Sequence, residues 1–239
     1  MPNLSSATAL ILVGGLGTRL RPVVGDVPKP LAEVRGRPFL SYLLDQLADA
    51  GLRTVVLCTG YRGEQVRAAF GDARRGLKLL YSQEASPMGT GGAIRLAAAG
   101  LASPTVLVLN GDSYCQVDLG AFWSDHCASG ARASLVLVRV EDASRFGQVE
   151  LDGSGRVLRF EEKGARTGPG WINAGMYLID RNWVEAIPSD RAVSLEREVF
   201  PLWIEQGLRG FRSPGRFLDI GTPASYREAD QFLAGQDAG

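Results

Sequence analysis

Arg19, Lys29 and a run of glycines stand close together in the stretch Leu10 to Pro30, LILVGGLGTRLRPVVGDVPKP, and their chemistry is that of a grip on phosphate. Gly14, Gly15 and Gly17 carry no Cβ and tolerate positive φ, so backbone N–H groups there are free to close on an anion. Thr18 and Arg19 follow at once, and Arg19 supplies a planar cation with a forked set of donors. Lys29 is set between Pro28 and Pro30. Flanking prolines remove local chain freedom, so the amine is held near one place before any ligand arrives.

Known phosphate loops of other kinds do not fit this stretch. A dinucleotide-binding loop requires G-x-G-x-x-G, but Leu20 stands where the third glycine should follow Gly15 and Gly17. The mononucleotide loop G-x-x-x-x-G-K-[ST] occurs nowhere in the chain. A glycine-rich turn without a ligand accounts for Gly14 and Gly15, yet leaves Thr18-Arg19 and the Pro-Lys-Pro clamp without a reason.

Further chemistry sits at strand ends. Asp112 follows an apolar run and Gly111, a context that aims a carboxylate into a cleft, and Mg²⁺ prefers such a hard oxygen ligand. An aspartate that caps the following turn is the plainer alternative. Asp219 repeats the pattern in FLDIGTP. Glu161 and Lys163, in FEEKG, are compatible with a solvated charge cluster, and Asn173 with a structural turn residue. The single histidine, His126, lies on an expected helix and reads as a packing or surface residue; a histidine-dependent triad would have to use it, yet no G-x-S-x-G elbow accompanies it.

The elements that must position these groups alternate through the first half. An apolar run over Ala9 to Val13, then TVVLCT at Thr54 to Thr59, Leu77 to Ser82 and Thr105 to Leu109 predict buried strands. Between them, Leu40, Leu43, Leu44 and Leu47 recur at helical spacing up to Gly51, and Glu64 to Phe70 and Thr90 to Leu101 read as helices. Such alternation predicts a mostly parallel sheet covered on both faces, with ligands beyond the carboxyl ends of its strands. The second half changes to strands at Ser134 to Val140, Gln148 to Leu151, Val157 to Phe160, Trp171 to Ile179 and Leu208 to Arg212, partly joined by short turns. A helix capped by Ser194 is expected from Leu195 toward Gly207, kinked or split by Pro201, and a last one from Thr222-Pro223.

A chain of 239 residues suffices for one substantial core. Its 26 basic and 26 acidic residues cancel, so no global field points to nucleic acid or an anionic membrane, and a phosphate site must be local. Three cysteines without C-x-x-C spacing argue against a disulfide framework or a zinc knuckle and fit a reducing cytoplasm. The amino terminus has no basic n-region, and its apolar run is too short for a signal peptide or a membrane span.

GGLGTRLRP followed by PKP resembles the signature of the sugar-1-phosphate nucleotidyltransferases, and later segments extend the similarity over nearly the whole chain. The resemblance implies an α/β, Rossmann-like three-layer sandwich with a mixed, mostly parallel central sheet. It implies one domain over residues 1–239, with a nucleotide-binding half at 1–130 and a sugar-binding half plus C-terminal helix at 131–239. The reaction implied is nucleoside triphosphate plus sugar 1-phosphate giving nucleoside-diphosphate sugar and pyrophosphate. Arg19, Lys29 and Asp112 are then the expected catalytic residues, and Asp112 and Asp219 share Mg²⁺. Gly14, Gly15, Gly17, Thr18, Gln83, Glu84, Gly89, Thr90 and Gly91 are expected at the nucleotide, with Glu84 offering acceptors to a guanine edge. Gly111, Glu161, Lys163 and Asn173 are expected at the sugar phosphate. Partners are a nucleoside triphosphate and a sugar 1-phosphate, with no nucleic acid and no membrane, and a homodimer is left open. Within the family, LVGGLGTRLR, MGTGGA, LNGD and FLDIGTP look most like the D-glycero-D-manno-heptose 1-phosphate guanylyltransferases. Ser113 and Val13 depart from that pattern, and mannose 1-phosphate guanylyltransferase or a uridylyl or thymidylyl enzyme stays as the alternative; a non-catalytic regulatory homologue that binds sugar nucleotides is the reading of another class, which the presence of Arg19, Lys29, Asp112 and Asp219 disfavours.

Overall fold

The computed structural model describes residues 3–15, 17–161 and 167–235. The chain enters through β1 (Thr8–Leu12), whose glycine-rich exit leads to a short helix, α1 (Arg21–Val24). A small hairpin of β2 (Glu33–Val34) and β3 (Arg37–Pro38) then feeds α2 (Phe39–Asp49). Next come β4 (Thr54–Thr59), α3 (Gly63–Phe70), β5 (Ala73–Arg74), β6 (Leu77–Gln83), α4 (Gly89–Ala98) and β7 (Thr105–Asn110). The second half runs through β8 (Ser113–Cys115), α5 (Leu119–Ser129), β9 (Ala133–Val140), β10 (Gln148–Leu151), β11 (Val157–Glu161) and β12 (Gly170–Asp180). It ends with α6 (Arg181–Glu185), α7 (Phe200–Glu205), β13 (Arg209–Ser213), β14 (Phe217–Asp219) and α8 (Pro223–Phe232).

Four parallel strands, in the order β6, β4, β1, β7, form the middle of the sheet. From β1 the chain steps outward to β4 and β6, then returns to the other side of β1 as β7. That reversal opens a crevice beyond the carboxyl ends of β1 and β7, the place where ligands bind in open α/β sheets. The long β12 runs antiparallel to β7 and, on its other side, to β9, so one mixed sheet carries both halves of the chain. Its parallel centre and antiparallel flanks match the Rossmann-like architecture that the sequence implied.

Both faces of the centre are buried, which explains why β1 and β4 read as continuous apolar runs rather than alternating ones. Ala9, Ile11, Val55 and Leu57 pack on the face covered by α2, α3, α5 and α8, whereas Leu10, Val56 and Cys58 meet α4, α6 and α7. On α2, Phe39, Leu40, Leu43, Leu44 and Leu47 are fully buried. Each contributes about 1.5–3 kcal/mol by leaving water.

The helix expected from Leu195 to Gly207 is split. Ser194 caps it through Oγ, a single wide turn follows over Leu195–Val199, and α7 begins afresh with Pro201 in its first turn. Proline lacks an N–H and is tolerated only there. The last helix starts where expected, with Pro223 at its first position and Thr222 and Ser225 forming a reciprocal cap. Among the described residues no helix is long and apolar enough to cross a membrane.

Candidate active site

The glycine loop leaves β1 and folds over the lysine clamp. Gly17 has φ +59°, and a Cβ built on it would lie 3.3 Å from Cβ of Lys29, so the loop and the Pro28-Lys29-Pro30 segment are in contact. Lys29 begins a single helical turn in which Leu31 N–H donates to Pro28 O at 2.8 Å and Ala32 N–H to Lys29 O at 3.1 Å. With its backbone fixed in this way, the side chain reaches the crevice, where Nζ meets Oδ2 of Asp112 at 2.6 Å. The lysine is 13% exposed and the aspartate 43%, so the pair stands at the mouth of the crevice with the carboxylate open to solvent.

Asp112 and Asp219 are more than a hundred residues apart in sequence, and a two-stranded ribbon joins them. β8 pairs antiparallel with β14, Asp219 lies opposite Ser113, and Ile220 N–H donates to Asp112 O at 2.9 Å. Asp219 Oδ1 accepts Gly221 N–H at 3.0 Å, with Arg145 Nη2 at 3.8 Å. Two carboxylates on adjoining backbone form a hard oxygen donor set that fits a Mg²⁺-type cation. Cys58 lines the same cavity, and burial pushes its thiol up to about 12. Among the described residues no cluster of three or more metal-ligating side chains forms.

Beyond the carboxyl ends of β1, β4, β6 and β7 lies a cavity of about 670 Å³. Glu84 closes the end opposite Asp112. Its Oε2 accepts Met88 N–H at 2.6 Å, while Oε1 lies over Gly14, where a Cβ would approach it to 2.7 Å. Partial burial raises the carboxyl's pKa, and the Met88 bond opposes that shift. Close approach also explains Gly111: its N–H donates to Leu12 O at 2.9 Å, and a Cβ there would lie 2.5 Å from that oxygen.

Gly14, Gly15, Lys29, Gln83, Glu84, Gly89, Thr90, Gly111 and Asp112 all line this cavity. Gly17, Thr18, Arg19 and Gly91 sit on the same loop or turn without lining it, and Arg19 is exposed with no hydrogen bond or ion pair among the described residues. Asp219 is held beside Asp112 by the ribbon rather than by the cavity wall. Glu161 is engaged by Arg159 at 2.7 Å, and Lys163 lies outside the described residues. Asn173 holds a break in the register of β12: Oδ1 accepts Gly175 N–H at 2.9 Å and Nδ2 donates to the Tyr177 hydroxyl at 2.8 Å. Gly175 takes φ +72° there, with Asn110 packed against it so closely that a Cβ would meet Nδ2 at 2.6 Å.

Cys58, Gly60, Tyr61 and Asn110 also line the cavity, and the sequence reading passed over them. Cys58 to Tyr61 follow the rule already applied to the glycine loop, since they end a parallel strand and enter its loop. Asn110 stood in view inside LNGD.

The nucleotidyl transferase family model matches residues 8–236. Mannose-1-phosphate guanylyltransferase of Mycobacterium tuberculosis is 41% identical over 91% of this chain, which spans 62% of that relative's length. D-glycero-alpha-D-manno-heptose 1-phosphate guanylyltransferase of Aneurinibacillus thermoaerophilus is 37% identical over 94% of this chain and 97% of its own. Among solved structures, HddC from Yersinia pseudotuberculosis complexed with GMP-PN superposes with a TM-score of 0.84 at 32% identity, over 95% of this chain and 99% of that one. The family match begins at the first residue of β1 and runs past the end of α8, and the chain therefore belongs to the nucleotidyl transferase family.

Proposed function

We propose that the protein transfers a guanylyl group from GTP to a sugar 1-phosphate, giving a GDP-sugar and pyrophosphate, with D-glycero-D-manno-heptose 1-phosphate as the acceptor. The observation that carries the reaction type is the crevice beyond β1 and β7, where Lys29 and Asp112 stand at one end of a cavity of nucleotide size and Glu84 at the other. The heptose acceptor is supported by the likeness to the Aneurinibacillus heptose enzyme, 37% identical over 94% of this chain, together with LVGGLGTRLR, MGTGGA, LNGD and FLDIGTP; the mycobacterial mannose enzyme is 41% identical over 91%. Higher identity to that mannose enzyme supports mannose 1-phosphate as the second reading.

In this reading one domain works in two halves, residues 1–130 on the nucleotide and 131–239 on the sugar. The base lies against the Gly89–Gly91 turn, and Glu84 presents a carboxylate oxygen to the N–H groups of guanine. Backbone N–H groups at Gly14 and Gly15 and the guanidinium of Arg19 hold the phosphate tail. Lys29 turns from Asp112 to the phosphates once nucleotide enters. The sugar phosphate sits beside Gly111, with Glu161, Lys163 and Asn173 on its hydroxyls and phosphate. One of its phosphate oxygens is already anionic, so it attacks the α-phosphorus without a general base. The α–β bridging bond breaks in line, and its electrons leave with pyrophosphate, whose growing charge Arg19 and Lys29 spread. Asp112 and Asp219 would hold Mg²⁺, which supplies charge neutralisation of the phosphates when bound. The free thiols Cys58, Cys115 and Cys127 support placement in a reducing cytoplasm.

The test is a matrix of GTP, UTP, dTTP, CTP and ATP against heptose, mannose and glucose 1-phosphates, read as magnesium-dependent pyrophosphate release. GTP with heptose 1-phosphate is the expected active pair. Activity confined to another base or sugar removes the substrate assignment, and silence across the matrix removes the enzyme.

A further inference from the structure

A segment from the second half of the chain forms the outer backing of the turn that lines the nucleotide end of the cavity. Val193 N–H donates to Met88 O at 2.8 Å, and Gly91 N–H donates to Val193 O at 2.9 Å. This contact is too close for side chains on the turn. A Cβ on Gly89, whose φ is +70°, would lie 2.5 Å from Val193 O, and one on Gly91 would lie 3.2 Å from it. The glycines of this turn therefore serve the contact behind the cavity as much as the space within it.

Thr90 completes the junction. Its hydroxyl donates to Glu196 Oε2 at 2.9 Å and accepts Leu195 N–H at 2.8 Å. Ser194 Oγ donates to the same Glu196 oxygen at 3.0 Å. Thr90 lines the cavity, yet both hydrogen-bonding capacities of its hydroxyl that the structure fills are turned away, toward Glu196 and Leu195. Glu196 thus accepts two hydroxyl bonds on one oxygen, and hydrogen bonds to a charged acceptor are stronger than neutral ones. From Thr90 the connection continues through Gly91, Val193 and Met88 to Glu84, whose second oxygen lies over Gly14. Burial and, next, the charge of Glu196 push the Tyr177 hydroxyl well above its ordinary range, so this carboxylate also stands near the Asn173–Tyr177 pair.

We infer that Glu196 is a positioning residue for the nucleotide, fixing the Gly89–Gly91 turn from behind through the Thr90 hydroxyl and so setting the wall against which the nucleoside lies. It has no direct contact with the reacting atoms in this scheme. The inference rests on the nucleotide site proposed above and assigns part of that site's geometry to the half of the chain that holds the sugar.

The experiment measures GTP binding by titration calorimetry without sugar phosphate, together with KM for each substrate and the melting midpoint of each variant. Glu196→Ala and Thr90→Val should each weaken GTP binding about tenfold, the size expected for one bond to a charged group. The double variant should be no weaker than either single one, because both break one connection. KM for the sugar phosphate should not change, and the conservative variants Glu196→Gln and Thr90→Ser, which keep an acceptor and a hydroxyl, should recover most of the GTP affinity that Glu196→Ala and Thr90→Val lose. Should Glu196→Ala not fold, Thr90→Val against Thr90→Ser carries the same comparison. Undiminished GTP binding by the variants, losses that multiply, or an equal rise in KM for the sugar phosphate overturns the inference and leaves guanylyl transfer standing. A wild type that binds no nucleoside triphosphate overturns both.

Discussion

Replacing Lys29 by methionine separates what this residue does for the fold from what it does for the reaction. The substitution keeps the length of the stem and removes only the ammonium, whose partner is Asp112 Oδ2 at 2.6 Å. Because Asp112 is 43% exposed, water takes over the carboxylate once the lysine is gone. The stability lost is then that of a part-buried ion pair open to water on its carboxylate side, about 1 kcal/mol. Catalysis should respond on a different scale. An ammonium fixed by Pro28 and Pro30 at the mouth of the cavity acts on developing phosphate charge, and loss of one such group lowers turnover roughly 10² to 10³-fold. The assay is pyrophosphate release with saturating GTP and sugar 1-phosphate, set beside a urea unfolding curve for the same preparation. Near wild-type turnover would refute the placement of Lys29 on the phosphates. A large drop in stability together with activity would show instead that the ion pair is a structural strut.

Arg19→Ala should leave the melting midpoint unchanged, since the side chain is exposed and makes no bond among the described residues, while turnover falls roughly 10² to 10³-fold. Gly111→Ala drives a Cβ to 2.5 Å from Leu12 O and 2.8 Å from Val13 Cγ1, forcing β1 and β7 apart. Differential scanning calorimetry should show a loss of about 1–3 kcal/mol, the usual range for overpacking. His126 is buried against Ser134 Oγ at 2.8 Å, and burial, against an opposing pull from Asp125, lowers its pKa from 6.5 to about 4. The unfolded chain therefore binds a proton that the folded one refuses, so stability is complete above pH 6.5 and falls as pH drops toward 4. Unfolding free energies from urea curves at pH 7 and pH 5 should differ by about 2 kcal/mol more in wild type than in His126→Gln.

The first half of the fold was legible because its strands are short apolar runs and its main helix a clean repeat of leucines. Local patterns of this kind depend on neighbours in sequence. The glycine loop, Lys29 and Asp112 were legible for a related reason: each sits where an apolar run stops and a glycine or proline fixes the backbone. The ribbon that brings Asp219 to Asp112 was not. β8 and β14 are three residues each and pair across about a hundred positions, and such short strands carry no periodicity of their own. The register break at Asn173 to Gly175 was hidden likewise, since it arises from two partners of β12 with different demands. Helix α1 did carry a signal, Pro22 in its first turn. Glu196 was invisible because its partner Thr90 is 106 positions away in sequence.

The most direct measurement is a crystal structure of the protein with magnesium and a non-hydrolysable GTP analogue. The account predicts guanine between Glu84 and the Gly89–Gly91 turn, the triphosphate between Gly15 and Lys29, and the metal ion on Asp112 and Asp219. A nucleotide bound outside the cavity beyond β1 and β7, or within it with its phosphates turned away from Lys29, would contradict the account.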